Sequence, residues 1–547
     1  MRPTFAVACL FITVVALAQQ PIAPAPADPA LAAALQHVSP DRIHADIAKL
    51  VTFNNRSTLS SMESGLPPGT GVIAASDWIF AEFTRISAAC NNCLDVQRDD
   101  FIEPPQTGPL ARILKPNRIV NIYAVLRGSD PAQSSRRVLV TGHYDSRNSS
   151  NFNTRDAAPG ANDDASGVAV SLECARILSS SGIKFPATIV FVAVAGEEQG
   201  LNGSLHLARL AKSEAWQLEA VLNNDIVGGD TTPGDMLQDK SAVRVFSEGV
   251  PGTSTLDELH KIQTVGAESD SPSRELARAI LDVSTTYFKP GALHAPPVAG
   301  GRARSNVVRF VPAFHPVLIF RRDRFLRGGD HSSFNLEGFP AIRFTEWREN
   351  FDHQHQNVRV APEGQASASG SAASPNSAAP TSVNSAAPTS ANAAVPTSAS
   401  TVQYGDLLQF VDPEYVANVA RLNAATLAVL ALAPAPPQNV RVLTTNVDNN
   451  TTLTWQPPAG LPASASHEIV WRDTTAPTWT DFQAVPNQPA ASTTAAPPTI
   501  SITVPLSKDN VIFGVRSVDP SGHRSVAVYP AASRTTPTFP QPTPAAK

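Results

Sequence analysis

Between residues 121 and 345 the chain alternates short, nearly unbroken apolar runs with stretches of helical periodicity. The runs Asn121 to Leu126, Arg137 to Thr141, Thr188 to Ala195, Ala220 to Leu222 and Ala341 to Thr345 have the near-continuous apolar character of strands covered on both faces. Helices are predicted between them, from about Ala165 to Ser179, where Val168, Leu172, Ala175 and Leu178 recur at helical spacing, and from Ser204 to Glu214. The alternation predicts an α/β domain. In open α/β sheets, ligands gather beyond the carboxyl ends of the strands, so polar residues directly after these runs are the first candidates for chemistry.

The pattern breaks at about residues 362–400, an Ala/Ser/Pro/Thr stretch containing the near-repeats Ser377 to Asn384 and Ser385 to Asn392. This composition cannot pack a core and predicts disorder. Order returns with Pro413 to Leu432, an Ala/Leu-rich helix ending before Pro434 and Pro436. The helix rejoins the first domain, which makes the stretch an insertion in a surface loop. Beyond it, β-like runs at Asn439 to Leu443, Thr451 to Trp455, His467 to Trp471, Thr499 to Val504 and Val511 to Val518 suggest a small β-sandwich. This segment, 437–535, resembles a fibronectin type III domain through Pro437 to Val442, the core-type Trp455 and Phe513 to Arg524. Such modules tether or bind, so its removal is expected to leave hydrolysis of small substrates intact.

The chain has 547 residues, a net charge of -5 and a pI of about 6.2, and it offers no basic surface for a phosphate backbone. Nucleic acid is therefore excluded as a partner. Residues 1–18 read as a signal peptide: Arg2, an apolar run from Phe5 to Leu17, and Ala16-Leu17-Ala18 as cleavage site. The run is too short to span a bilayer, and no later stretch is expected to do so. A soluble, exported protein, periplasmic or extracellular, is expected, with an uncleaved anchor as the alternative. In that compartment Cys90 and Cys93 are expected to form a local disulfide, with Cys174 buried on a helix.

Five stretches carry metal-binding or acid/base side chains. They are Thr141 to Ser146, Gly160 to Gly167, Gly196-Glu197-Glu198, Asn223-Asn224-Asp225, and His353-Gln354-His355-Gln356-Asn357. Each has a plain structural explanation. His143 could be a hydrogen-bonded strand-end residue, Asp163 and Asp164 an N-cap and its neighbour, Glu197 and Glu198 a solvated pair, and Asp225 a turn residue. Their concentration at strand ends favours chemistry. Zinc takes imidazole and carboxylate ligands and keeps a position open for water in hydrolytic sites. Asp145, two residues after His143, is placed to accept the second imidazole N–H. Of two adjacent carboxylates, one can coordinate and the other accept a proton.

Residues from about Asp41 to Leu432, less the insert, resemble peptidase family M28, the zinc aminopeptidases of the bacterial leucyl aminopeptidase type. The resemblance rests on Thr-Gly-His143-Tyr-Asp145-Ser, Pro159 to Gly167, Glu197-Glu198 followed by Gly203-Ser204, Asn224-Asp225, and Gly329-Asp330-His331-Ser-Ser-Phe334 followed by Gly338-Phe-Pro-Ala. It implies a peptidase domain over 30–434 with a mixed, mostly parallel sheet sandwiched by helices, as in zinc exopeptidases, and two zinc ions. It makes Asp163 the bridging carboxylate, puts His143 and Asp225 on one zinc, puts Glu198 and His353 on the other, and makes Glu197 the general base with Asp145 supporting. Asp330, His331 and Phe334 would line the substrate pocket. The family's His-Thr-x-x-Asp is here His353-Gln-His355-Gln-Asn357, so His355 is the alternative last ligand. The implied activity is release of N-terminal residues from peptides or proteins by metal-activated water. Three alternatives stay open: a one-zinc glutaminyl cyclase, a carboxypeptidase or amidohydrolase using Arg321, Arg322, Arg324 or Arg327 for a substrate carboxylate, and a non-catalytic binding protein.

Overall fold

The structure, a computed structural model, describes residues 20–288, 290–292, 310–325, 327–362, 401–445, 448–487 and 499–532. Residues 1–18, read as a signal, and residues 363–400 of the predicted insert lie outside the described residues.

The peptidase-like half is built on eight strands: β1 (Leu94–Glu103), β2 (Asn117–Leu126), β3 (Arg136–His143), β4 (Thr188–Val194), β5 (Gln217–Asn224), β6 (Ala242–Ser247), β7 (His315–Ile319) and β8 (Ala341–Glu346). Their order is β7-β6-β8-β5-β3-β4-β2-β1. The central neighbours β8, β5, β3 and β4 run parallel, while β1, β2 and the β6–β8 pair are antiparallel contacts. The sheet is therefore mixed and mostly parallel at its centre, as the sequence implied. Every residue of β4 is buried, which explains its unbroken apolar run. One face packs on α1 (Pro40–Val51), α2 (Gly71–Ala89), α3 (Ser166–Ser180) and the long Pro413–Leu432 helix. The other packs on Asn202–Ser213 and the short His331–Leu336 helix through Leu207, Ala211 and Phe334. Cys90 and Cys93 form a disulfide at the end of α2, and Cys174 is buried on α3.

The expectation that no later stretch is long and apolar enough to cross a membrane is corrected. Pro413–Leu432 is long and apolar enough to cross a membrane by composition, with a mean hydropathy of 1.4, yet 78% of that window is buried inside the protein. Its apolar surround reflects a core position between α3 and the rest of that layer.

The C-terminal region forms two further four-stranded sheets, mostly antiparallel. Trp455, Ile469, Val485 and Val515 fill the space between them. Asp481–Pro486, which showed no clear sequence pattern, is one of the strands, and Gln20–Pro21 at the other end of the chain pairs with it. The sheets are bound firmly to the helix Pro272–Tyr287. Arg472 Nη2 donates to Asp270 Oδ1 at 2.6 Å, and Arg278 Nη1 to the same oxygen at 3.0 Å. Trp479 Nε1 donates to Glu275 at 3.0 Å, and Arg516 to Asp282 at 2.9 Å. Arg472, Arg278 and Asp270 are almost wholly buried, so the contact is a desolvated polar network rather than a surface touch.

Candidate active site

The carboxyl ends of β3, β4 and β5 place His143, Glu197-Glu198 and Asp225 around one point because the three strands run side by side in the same direction. The chain reaches α3 through Ala161 to Ala165, which brings Asp163 to the same place; the Asp163–Asp164 peptide is cis. Close packing here depends on glycine. A Cβ on Gly167 would overlap the Asn224 carbonyl oxygen and lie 2.5 Å from the Asp164 carboxylate.

Two groups of candidate ligand atoms result. His143, Glu197 and Asp225 form one, and Asp163, Glu198 and His355 the other, with ligand atoms in each within 4.8 Å of one another. Asp163 lies between the two imidazoles: its Oδ1 is 3.1 Å from His143 Nε2, and its Oδ2 is 2.7 Å from His355 Nε2. His355 Nε2 is also 3.1 Å from Glu198 Oε1. A divalent cation fits this donor set on two grounds. The residues are imidazoles and carboxylates, and two of the facing atoms, His143 Nε2 and Glu198 Oε1, are buried without any hydrogen bond, which is costly for polar atoms with no further role.

The His353 expectation is corrected by this geometry. Its Nδ1 lies 2.5 Å from Asp230 Oδ2, and its ring stacks on Phe410 at 3.7 Å. His353 thus anchors the loop, and His355, at φ 54, turns into the cluster. For a centre with one ion in each group, His355→Ala is expected to lower the bound metal by one ion per chain, whereas His353→Ala should retain both with weaker affinity, as is usual for supporting residues. Metal analysis of the two purified variants checks this; the reverse pattern would return His353 to the ligand set.

Asp145 faces the second imidazole nitrogen of His143, as expected, with its carboxylate Oδ1 at 3.5 Å. His143 Nδ1 faces the Asp145 carbonyl oxygen at 3.1 Å, which can only accept, so Nδ1 carries the proton and Nε2 offers its lone pair. The Asp145 carboxylate also accepts from Thr58 Oγ1 and from the backbone N–H groups of Glu197 and Glu198, at 2.9, 3.3 and 3.2 Å. It holds the strand-end pair. Asp164 accepts from Gly167 N in the first turn of α3 and also from His143 N and Ile226 N, tying the ends of β3 and β5 to the start of the helix.

The adjacent glutamates are driven apart. Burial raises the Glu197 carboxyl well above its ordinary value, and the charges of Asp225 and Glu198 add to this against the opposing His143. Burial acts the same way on Glu198, but His355 and Arg147, whose Nε donates to it at 2.7 Å, outweigh burial and hold it at about 2. Divergent pairs of this kind mark a proton acceptor beside a permanently ionised donor.

Asp330, His331 and Phe334 do not line an open pocket; all three are fully buried. His331 Nε2 is hydrogen-bonded to the Arg322 carbonyl, and Phe334 packs in the core. The neighbouring arginines are engaged too. Arg324 and Arg327 both pair with Glu349, and Arg321 lies 3.6 Å over the Phe325 ring.

Several supporting residues escaped the sequence reading. Arg56, with no exposed surface, donates to the carbonyls of Leu50, Tyr144, Pro159 and Gly160. Asp406 accepts from Asn162 N and Asp163 N at 2.8 and 2.7 Å. No local pattern marks either one. Arg343 did carry a signal: an arginine inside an otherwise apolar central strand.

The sequence profile described as Peptidase family M28 matches residues 121–270. A protein of Leptosphaeria maculans described as a probable zinc metalloprotease is 39% identical over 510 residues, 93% of this chain and 98% of that one. Another so described, from Pyricularia oryzae, is 38% identical over 509 residues, 92% of this chain and 84% of that one. Among solved structures, the LapA aminopeptidase of Legionella pneumophila is similar at 18% identity with a TM-score of 0.43, covering 74% of each chain.

Proposed function

The chain belongs to peptidase family M28, and from that premise we propose that it is a two-zinc aminopeptidase removing N-terminal residues from peptides. The observation that carries the reading is Asp163 lying between His143 and His355 with Glu197 alongside. His143 and Asp225 would hold one ion, Glu198 and His355 the other, and Asp163 both. Zinc bound there supplies Lewis acidity for the scissile carbonyl and makes water acidic enough to attack near neutral pH.

The protein's own residues do the rest. Glu197 takes the proton released by the attacking water and returns it to the leaving amine. Asp145 keeps Glu197 in reach through its backbone N–H. The dense carboxylate cluster favours a free α-ammonium group over a neutral internal amide, which selects the chain terminus. The alternatives have less support. A glutaminyl cyclase using one zinc leaves one ligand group without purpose, and of the arginines a carboxypeptidase would need, Arg324 and Arg327 are paired with Glu349, Arg322 lies 3.6 Å from Asp323 and Arg321 lies over the Phe325 ring. In this reading residues 1–18 export the protein to the periplasm or exterior, and the C-terminal sheets are a fibronectin type III-like module.

The test compares peptides with free and N-acetylated termini, before and after chelation. Release of the first residue from free termini alone, lost with chelator and restored by zinc or cobalt, is expected. Equal cleavage of acetylated peptides would defeat the reading.

A further inference from the structure

Arg343 is fully buried in the middle of β8, between β5 and β6. A guanidinium there is expensive unless its donors are met, and the donors converge on the segment carrying Asp225. Its Nη2 lies 2.7 Å from Asp225 Oδ1 and 3.5 Å from the Asp225 carbonyl oxygen. Its Nε donates at 2.9 Å to Thr345 Oγ1, which itself donates to the Asp225 carbonyl at 3.0 Å. Its Nη1 donates to the Gly328 carbonyl. The next residue makes room for the pair: a Cβ on Gly329 would lie 2.6 Å from Arg343 Nη1 and 2.7 Å from Asp225 Oδ2.

We propose that Arg343 is a positioning residue which fixes the Asp225 carboxylate for the metal position shared with His143. The proposal rests on the two-zinc reading above. A planar fork sets the direction of a carboxylate, which a point charge does not. The guanidinium also repels a nearby cation, and this opposes the gain from orientation. Orientation is expected to win, because supporting groups of ligands typically contribute about 10- to 100-fold in metal affinity. The Gly328-Gly329 segment, just before Asp330, then acts as the shelf on which this pair sits.

Zinc binding by the full chain, measured by titration calorimetry after chelator dialysis, tests this without any activity readout. Arg343→Met should weaken one of two zinc ions by about 10- to 100-fold and leave the other unchanged, with Arg343→Lys in between. In a His355→Ala background, which retains only the ion near Asp225, Arg343→Met should weaken that remaining ion. Gly329→Ala, which crowds the pair but keeps both charges, should reproduce the effect should Arg343→Met fail to fold. Unchanged affinity in Arg343→Met, or tighter binding, overturns the proposal, the latter by showing that repulsion dominates. Wild-type protein that binds one zinc defeats the two-zinc reading separately: an ion retained in His355→Ala still decides the role of Arg343 through the same variants, and an ion lost in His355→Ala leaves Asp225 without a metal and overturns the proposal.

Discussion

Glu197→Gln should lower turnover by about 10²- to 10⁴-fold, the usual contribution of a general acid/base group, while zinc content and melting temperature stay near wild type. The substitution retains shape and removes only the ability to take a proton. Two features make this the expected site of proton transfer. The carboxyl lies among the ligand atoms of His143 and Asp225, and burial raises its proton affinity while Glu198 stays ionised. Glu198→Gln should behave differently and lose metal as well as activity. Should Glu197→Gln keep wild-type turnover, the base lies elsewhere; should it lose an ion, Glu197 is a ligand.

Asp270→Ala should destabilise the protein by about 3–5 kcal/mol, the typical result of removing one partner from a buried ion pair. Arg278 and Arg472 both pair with Asp270 Oδ1 and neither reaches solvent; Arg278 has Glu275 as a second carboxylate partner, whereas no second carboxylate pairs with Arg472 among the described residues. The paired replacement Asp270→Leu with Arg472→Met should recover part of the loss, because Arg472 is then no longer a stranded charge and Arg278 keeps Glu275. Removal of residues 434–547 should be worse, since it exposes Asp270, Glu275 and Arg278 together and takes away the sheet partner of Gln20–Pro21. The sequence led to the expectation that hydrolysis of small substrates survives this deletion; the buried contacts add a cost in stability. Thermal melting of the two variants and of the truncated chain is the measurement, and a melting temperature for Asp270→Ala within about a degree of wild type would sink the argument.

The sequence by itself determined five of the eight strands of the main sheet, β2 to β5 and β8, because a strand buried on both faces must be apolar throughout, as β4 is, whereas β1, β6 and β7 were not read from it. It also determined most of the site. His143, Glu197, Glu198 and Asp225 stand directly after strands, and parallel neighbours must deliver such residues to one edge. Tertiary structure alone decided what sits in loops or arrives from far along the chain. His353 and His355 are chemically identical two residues apart. What separates them is Asp230, 123 residues away, which holds His353 back against Phe410. Burial of Asp330, His331 and Phe334 follows from packing of their short helix on the sheet, which a motif does not report. The partners of Arg343 and Arg472 likewise come from distant segments. Local patterning fixes which face or end of an element a residue occupies, whereas a hydrogen bond or ion pair is a three-dimensional distance that only the folded chain sets.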